Sequence, residues 1–234
     1  MTIDLAQGLV YYIVFLVSTT FHEAAHAWAA KRGGDLTAYH GGQVSLNPMP
    51  HIRREPVGMV LLPLISVLLS GWPFGYASAP YDRRWAERYP TRAAWMALAG
   101  PGANLLLAAL ALMAIRAGAA AEVFLPPRDV SFGELTATPD GSAWAIAGTL
   151  LGVILSLNLL LAALNLLPFP PLDGSGALPL LLSENATRRY QAFIWGNPGL
   201  SLLGILLAWQ VFDRVFQPIF GLVVNLLYPG VRYS

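Results

Sequence analysis

The chain contains no cysteine. No disulfide braces it, and any metal it binds must be held by histidine or carboxylate side chains. It is also poor in charge. Charged residues fill 12% of the 234 positions and hydrophobic ones 56%, whereas soluble domains carry roughly 25% charged residues. So few polar side chains cannot cover the apolar surface of a fold in water, and lipid is the solvent that removes the need. The mean hydropathy of +0.54 agrees. The formal net charge of +1 leaves no basic excess to neutralise phosphates, which excludes nucleic acid as a partner. The opening stretch, MTIDLAQGLVYY, has no basic residue ahead of its apolar run and no small-residue cleavage site. It reads as a retained membrane segment rather than a signal peptide.

A helix that crosses a bilayer needs roughly 20 mainly apolar residues. Five stretches qualify: Leu5 to Ala30, Pro56 to Gly75, Ala93 to Ala117, Ala143 to Leu167 and Gly199 to Phe212. A sixth, Val215 to Leu227, is short enough to lie at the interface. The sequence predicts an all-α polytopic membrane protein. It has about five to six transmembrane or re-entrant helices and a short edge strand or hairpin at the membrane surface, in Tyr76–Arg92. No internal repeat or appended soluble module is visible, so residues 1–234 read as one integral membrane domain.

Inside the first segment lies Phe21-His22-Glu23-Ala24-Ala25-His26. Positions i and i+4 of a helix share a face, so His22 and His26 offer two nitrogen ligands to one ion, and this pattern suits zinc. Glu23 stands beside them as a general base for water. An ionisable group at membrane depth costs roughly 2.5 kcal/mol or more unless it is paired or functional, which argues against a chance match. A catalytic zinc needs a third protein ligand. Asp173 is the candidate, because Pro168, Pro170 and Pro171 break the fourth segment just before it, and Gly174 and Gly176 loosen the chain just after it. Broken backbone at that depth must line protein or water. Asn104 and Asn165 are candidate amide donors to the oxyanion of a tetrahedral intermediate, and either also suits a role in joining helices. Asn158 reads as a joining residue. His40 and His51 read as exposed loop histidines.

Three motifs, His22-Glu23-Ala-Ala-His26, Gly100-Pro101-Gly-Ala-Asn104 and Asn165-Leu-Leu-Pro168-Phe-Pro-Pro171-Leu-Asp173-Gly174, together resemble the site-2 protease family of intramembrane zinc metalloproteases, peptidase family M50. Leu46-Asn47-Pro48 resembles members without extra soluble domains, although His51 is followed here by Arg53, Arg54 and Glu55. The resemblance implies one zinc ion on His22, His26 and Asp173, with Glu23 activating water. It implies that Asn165 and Asn104 assist at the substrate carbonyl, and that the substrate is a membrane-anchored protein. A zinc-binding membrane protein without proteolytic activity and a metal transporter are the alternatives. The intact Glu23 speaks against the first. The lack of an inverted repeat or of polar groups along a path speaks against the second.

Parity constrains the topology. His22 and His26 lie near the C-terminal end of the first segment, and Asp173 lies just past that of the fourth. For all three to reach one ion, those segments must run the same way. Pro56–Gly75 is therefore expected not to cross fully. Ten basic residues, from Lys31 and Arg32 through Arg188 and Arg189, then share one side, while Arg116 and Arg128 lie on the other. The positive-inside rule makes the ten-residue side cytoplasmic. The expectation is a multi-pass cell-membrane protein whose zinc site lies nearer the cytoplasm.

Overall fold

The computed structural model of the chain describes residues 5–233. The apolar run that opens them forms α1 (Leu5–Gly33), whose last turn carries Lys31 and Arg32 against the carbonyl end of the helix dipole. Two short helices come next, α2 (Thr37–His40) and α3 (Pro48–Arg54). Asn47 caps α3 by accepting from the Met49 amide at 3.0 Å, with Pro48 at the first position, where its missing N–H costs nothing. A π-helical turn, Val57–Leu61, runs into α4 (Leu62–Ser70), which ends at Gly71 in the left-handed region at φ 74°. Pro63 cannot donate to the carbonyl four residues back, that of Met59. The Tyr12 hydroxyl donates to that carbonyl instead, at 3.3 Å. Then come α5 (Arg83–Arg88), α6 (Pro90–Ala120), α7 (Ala145–Asn165), α8 (Asp173–Ala177), α9 (Glu184–Gly196) and α10 (Leu200–Leu227).

Four of these helices, α1, α6, α7 and α10, have the length and apolar composition to cross a membrane. Their burial is inverted relative to a protein in water. Leu5, Leu9, Ile13 and Val17 form an i, i+4 stripe on α1 and are all exposed, whereas Ser18, His22, Glu23, Asn104 and Asn158 are buried. An apolar outside around a polar inside is the arrangement that lipid favours. The central helix, α6, packs against both α1 and α7. Ala108, Ala111 and Ile115 of α6 join Leu155 of α7 and Val224 and Leu227 of α10 in one cluster. Tyr11, Val14 and Phe15 of α1 join Val153 and Leu157 of α7 in another.

The structure corrects two expectations. The stretches Gly199–Phe212 and Val215–Leu227 are not separate segments but one 28-residue helix, α10. Asp213 and Arg214 mark a dip in hydropathy, not a helix break, and Pro218 is accommodated inside the helix. Among the described residues four long apolar helices stand beside the shorter, 14-residue Val57–Ser70 stretch that Pro56–Gly75 yields. The expected edge strand in Tyr76–Arg92 is absent among the described residues. Tyr76–Pro80 is irregular and is tied down by the Tyr76 amide donating to the Gly58 carbonyl at 3.1 Å. The one bridge pair described, Leu125 with Ala137, lies elsewhere.

Candidate metal centre

His22 and His26 stand one turn apart on α1, as their spacing dictates, and their Nε2 atoms are 2.9 Å from each other. Asp173 opens α8 and reaches the same point. Its Oδ2 lies 3.1 Å from His22 Nε2 and its Oδ1 3.4 Å from His26 Nε2. The three ligand atoms fall within 4.8 Å of one another. Glycine makes both approaches possible. A Cβ on Gly100 would collide with both Nε2 atoms, so α6 meets the imidazoles only because that side chain is missing. A Cβ on Gly174 would collide with the Leu166 and Leu167 carbonyls, so the chain folds Asp173 back against the end of α7 only with glycine there.

The proton positions are set from behind. His26 Nδ1 lies 2.7 Å from the Met96 carbonyl oxygen, which only accepts. His26 therefore carries a proton on Nδ1, which leaves Nε2 as the nitrogen free to ligate. His22 Nδ1 lies 2.5 Å from Asn104 Oδ1, which places its proton likewise. Two imidazole Nε2 atoms and a carboxylate thus converge on one point. Buried Asp173 Oδ2 has no hydrogen-bond donor. Two imidazole nitrogens and a carboxylate so placed are a donor set that suits a divalent metal accepting both nitrogen and oxygen.

Glu23 sits on α1 beside His22, 5% exposed, and its Oε2 has no hydrogen-bond partner. Glu23, His26 and Asp173 face a cleft of about 420 Å³, walled also by Ala77, Ala79 and Trp195. A titratable buried group without a partner, opening onto a cleft beside converged ligands, has the character of a reacting group.

The structure thus brings His22, Glu23, His26 and Asp173 together. It places the two asparagines differently. Asn104 is fully buried behind His22 and spends its carbonyl on that histidine and its amide on Asn158 Oδ1 at 2.8 Å. Both ends of its amide are thus engaged between helices, which matches the joining role that its sequence also allows. Asn165 ends α7 and donates back to the Leu161 carbonyl at 3.0 Å. It makes no hydrogen bond to the other four. His51 corrects an expectation. It is 1% exposed, with Nε2 donating to the Ser45 carbonyl at 2.9 Å and Nδ1 buried without a partner. Loop composition around it gave no sign of that burial, which comes from α3 packing on α1. His40 is exposed as expected.

Known proteins give an independent measure. The chain is 34% identical over 230 residues to "Putative zinc metalloprotease YwhC" of Bacillus subtilis, an alignment covering 88% of this chain and 92% of that one. It is 32% identical over 203 residues to "Putative zinc metalloprotease Rip2" of Mycolicibacterium smegmatis, covering 86% and 68%. No solved structure matches it. Peptidase family M50 matches residues 10–203, a stretch that holds both histidines, Glu23 and Asp173, and the chain belongs to that family.

Proposed function

We propose that this chain is a zinc endopeptidase that hydrolyses peptide bonds of membrane-anchored proteins within the bilayer, with residues 1–234 acting as one unit. His22, His26 and Asp173 hold one zinc ion. The observation that carries this reading is the convergence of two imidazole nitrogens and a carboxylate beside the unpartnered Oε2 of Glu23. The zinc metalloprotease names of the YwhC and Rip2 relatives support the choice of metal. Bound there, zinc polarises a scissile carbonyl and acidifies water.

The chain's own residues do the rest. Glu23 takes the proton of the attacking water on a carboxylate oxygen and later delivers it to the leaving amine. Met96 and Asn104 hold the imidazoles in the tautomer that points a lone pair at the metal. Asn165, half-buried at the end of α7, turns its amide to the substrate carbonyl once a peptide fills the cleft.

The substrate lies along Tyr76–Pro80. Backbone groups of Ala77 and Ala79 make no hydrogen bond among the described residues, while the Ser78 carbonyl is clamped by Gln43 Nε2 at 3.2 Å and Arg54 Nε at 3.1 Å. A single edge cannot form a ladder alone. An unwound substrate segment supplies the partner by β-addition. The metal centre lies nearer the cytoplasm, following the clustering of basic residues at its end of the bundle.

The variant Glu23→Gln tests the mechanism. Zinc content stays at wild type, and cleavage of a model transmembrane substrate falls by at least about 100-fold, the least that general acid–base catalysis supplies. Wild-type cleavage by that variant refutes the reading.

A further inference from the structure

Asn158 sits within α7, fully buried, and makes no hydrogen bond to His22, His26 or Asp173. Its side-chain amide nitrogen donates twice, to the Ile154 carbonyl at 2.9 Å and to Ser18 Oγ at 2.9 Å. Its Oδ1 accepts from Asn104 Nδ2 at 2.8 Å, and Asn104 Oδ1 lies 2.5 Å from His22 Nδ1.

The two ends of an asparagine amide are told apart only by their partners. Here one partner has a fixed sense. The Ile154 carbonyl can only accept, so the Asn158 nitrogen must face it. The Asn158 oxygen then faces Asn104, which fixes the Asn104 nitrogen on that side and its oxygen on His22. An oxygen there accepts a proton and cannot give one, so His22 holds its proton on Nδ1 and frees Nε2. His26 receives the same instruction directly from the Met96 carbonyl. His22 receives it through two amides, from a carbonyl on a different helix. The reversed arrangement would set the Asn158 oxygen against a carbonyl oxygen at buried depth, where an unmatched polar pair is costly.

We infer that Asn158 is a positioning residue of the metal centre, which sets the tautomer of His22 through Asn104 and couples α7 to the ligand helix α1. The inference rests on His22 being a metal ligand.

Zinc affinity of the full-length protein in detergent, read by competition with a chromophoric chelator, tests it. Changing an outer partner of a metal-bound histidine typically costs 10–100-fold in affinity. Asn158→Leu is expected to weaken zinc binding by about that factor and to shift the visible bands of the cobalt-loaded protein. In the Asn104→Ala background the same change is expected to cost little more, because the amide relay to the His22 ring is already cut. Ser156→Ala alters a buried neighbour on α7 whose hydroxyl has no partner and is expected to leave affinity at wild type. Wild-type affinity in Asn158→Leu, or an equal loss in both backgrounds, overturns the inference. If the leucine variant does not elute as a folded species, Asn158→Ala passes through the same cycle with the same readings.

A further arm needs no variant. Cobalt-loaded wild-type protein is expected to show two shifted, slowly exchanging imidazole N–H proton resonances. One slow resonance in place of two contradicts a held His22 proton. A wild-type chain that takes up no zinc sinks the metal assignment itself, whereas zinc uptake indifferent to Asn158 sinks only this inference.

Discussion

Gly100 shows how much one hydrogen atom decides at the metal centre. Any Cβ there would lie against both Nε2 atoms, so Gly100→Ala is expected to abolish zinc uptake, as measured by metal analysis, while the helical circular dichroism is retained. Full zinc occupancy in that variant contradicts the described approach of α6. His22, Glu23 and His26 were legible in the sequence because helical spacing is written along the chain. Asp173 was legible because three prolines and two glycines announce a break at membrane depth. The partners of Asn104 were not, since they depend on what three helices bring to its two amide ends. His51 was misread as a loop residue, because it lies in the short helix α3 and is buried there by tertiary packing.

Among the elements, the irregular stretch Tyr76–Pro80 carries the sharpest prediction. Ala79 precedes Pro80, which already holds it near extended geometry, and its amide makes no hydrogen bond. Ala79→Pro is therefore expected to fold and to bind zinc as wild type does. It removes one donor from the proposed substrate edge, worth about 1 kcal/mol or roughly fivefold in kcat/KM on a transmembrane substrate. Undiminished cleavage rules out pairing at that residue. The spanning helices themselves were read closely from apolar length. What composition alone did not resolve was continuity. A charged pair looks like a boundary in hydropathy, yet Asp213 and Arg214 sit within unbroken helix. The edge strand could not form alone, because a strand is defined by a partner that the chain does not supply.

On the scale of the whole molecule, α1 and α7 run the same way. Tyr11 and Val153 meet at Gly133, Ser18 bonds Asn158 further along, and His22 meets Asp173 past the end of α7. The 14 residues of Val57–Ser70 rise about 21 Å as helix, short of a hydrocarbon core of roughly 30 Å. This agrees with the parity reasoning drawn from the sequence. Single cysteines at Ser131 and Ser183, both exposed, are expected to react with an impermeant reagent from opposite sides of the membrane, Ser183 from the cytoplasm. Labelling of both from one side contradicts the topology. The proposed chemistry depends on three distant side chains sharing one ion. Metal analysis of the purified protein beside its Asp173→Ala variant measures that directly. The expected result is one zinc per wild-type chain and none retained by the variant after dialysis against a weak chelator. Zinc held equally well without the Asp173 carboxylate would contradict it.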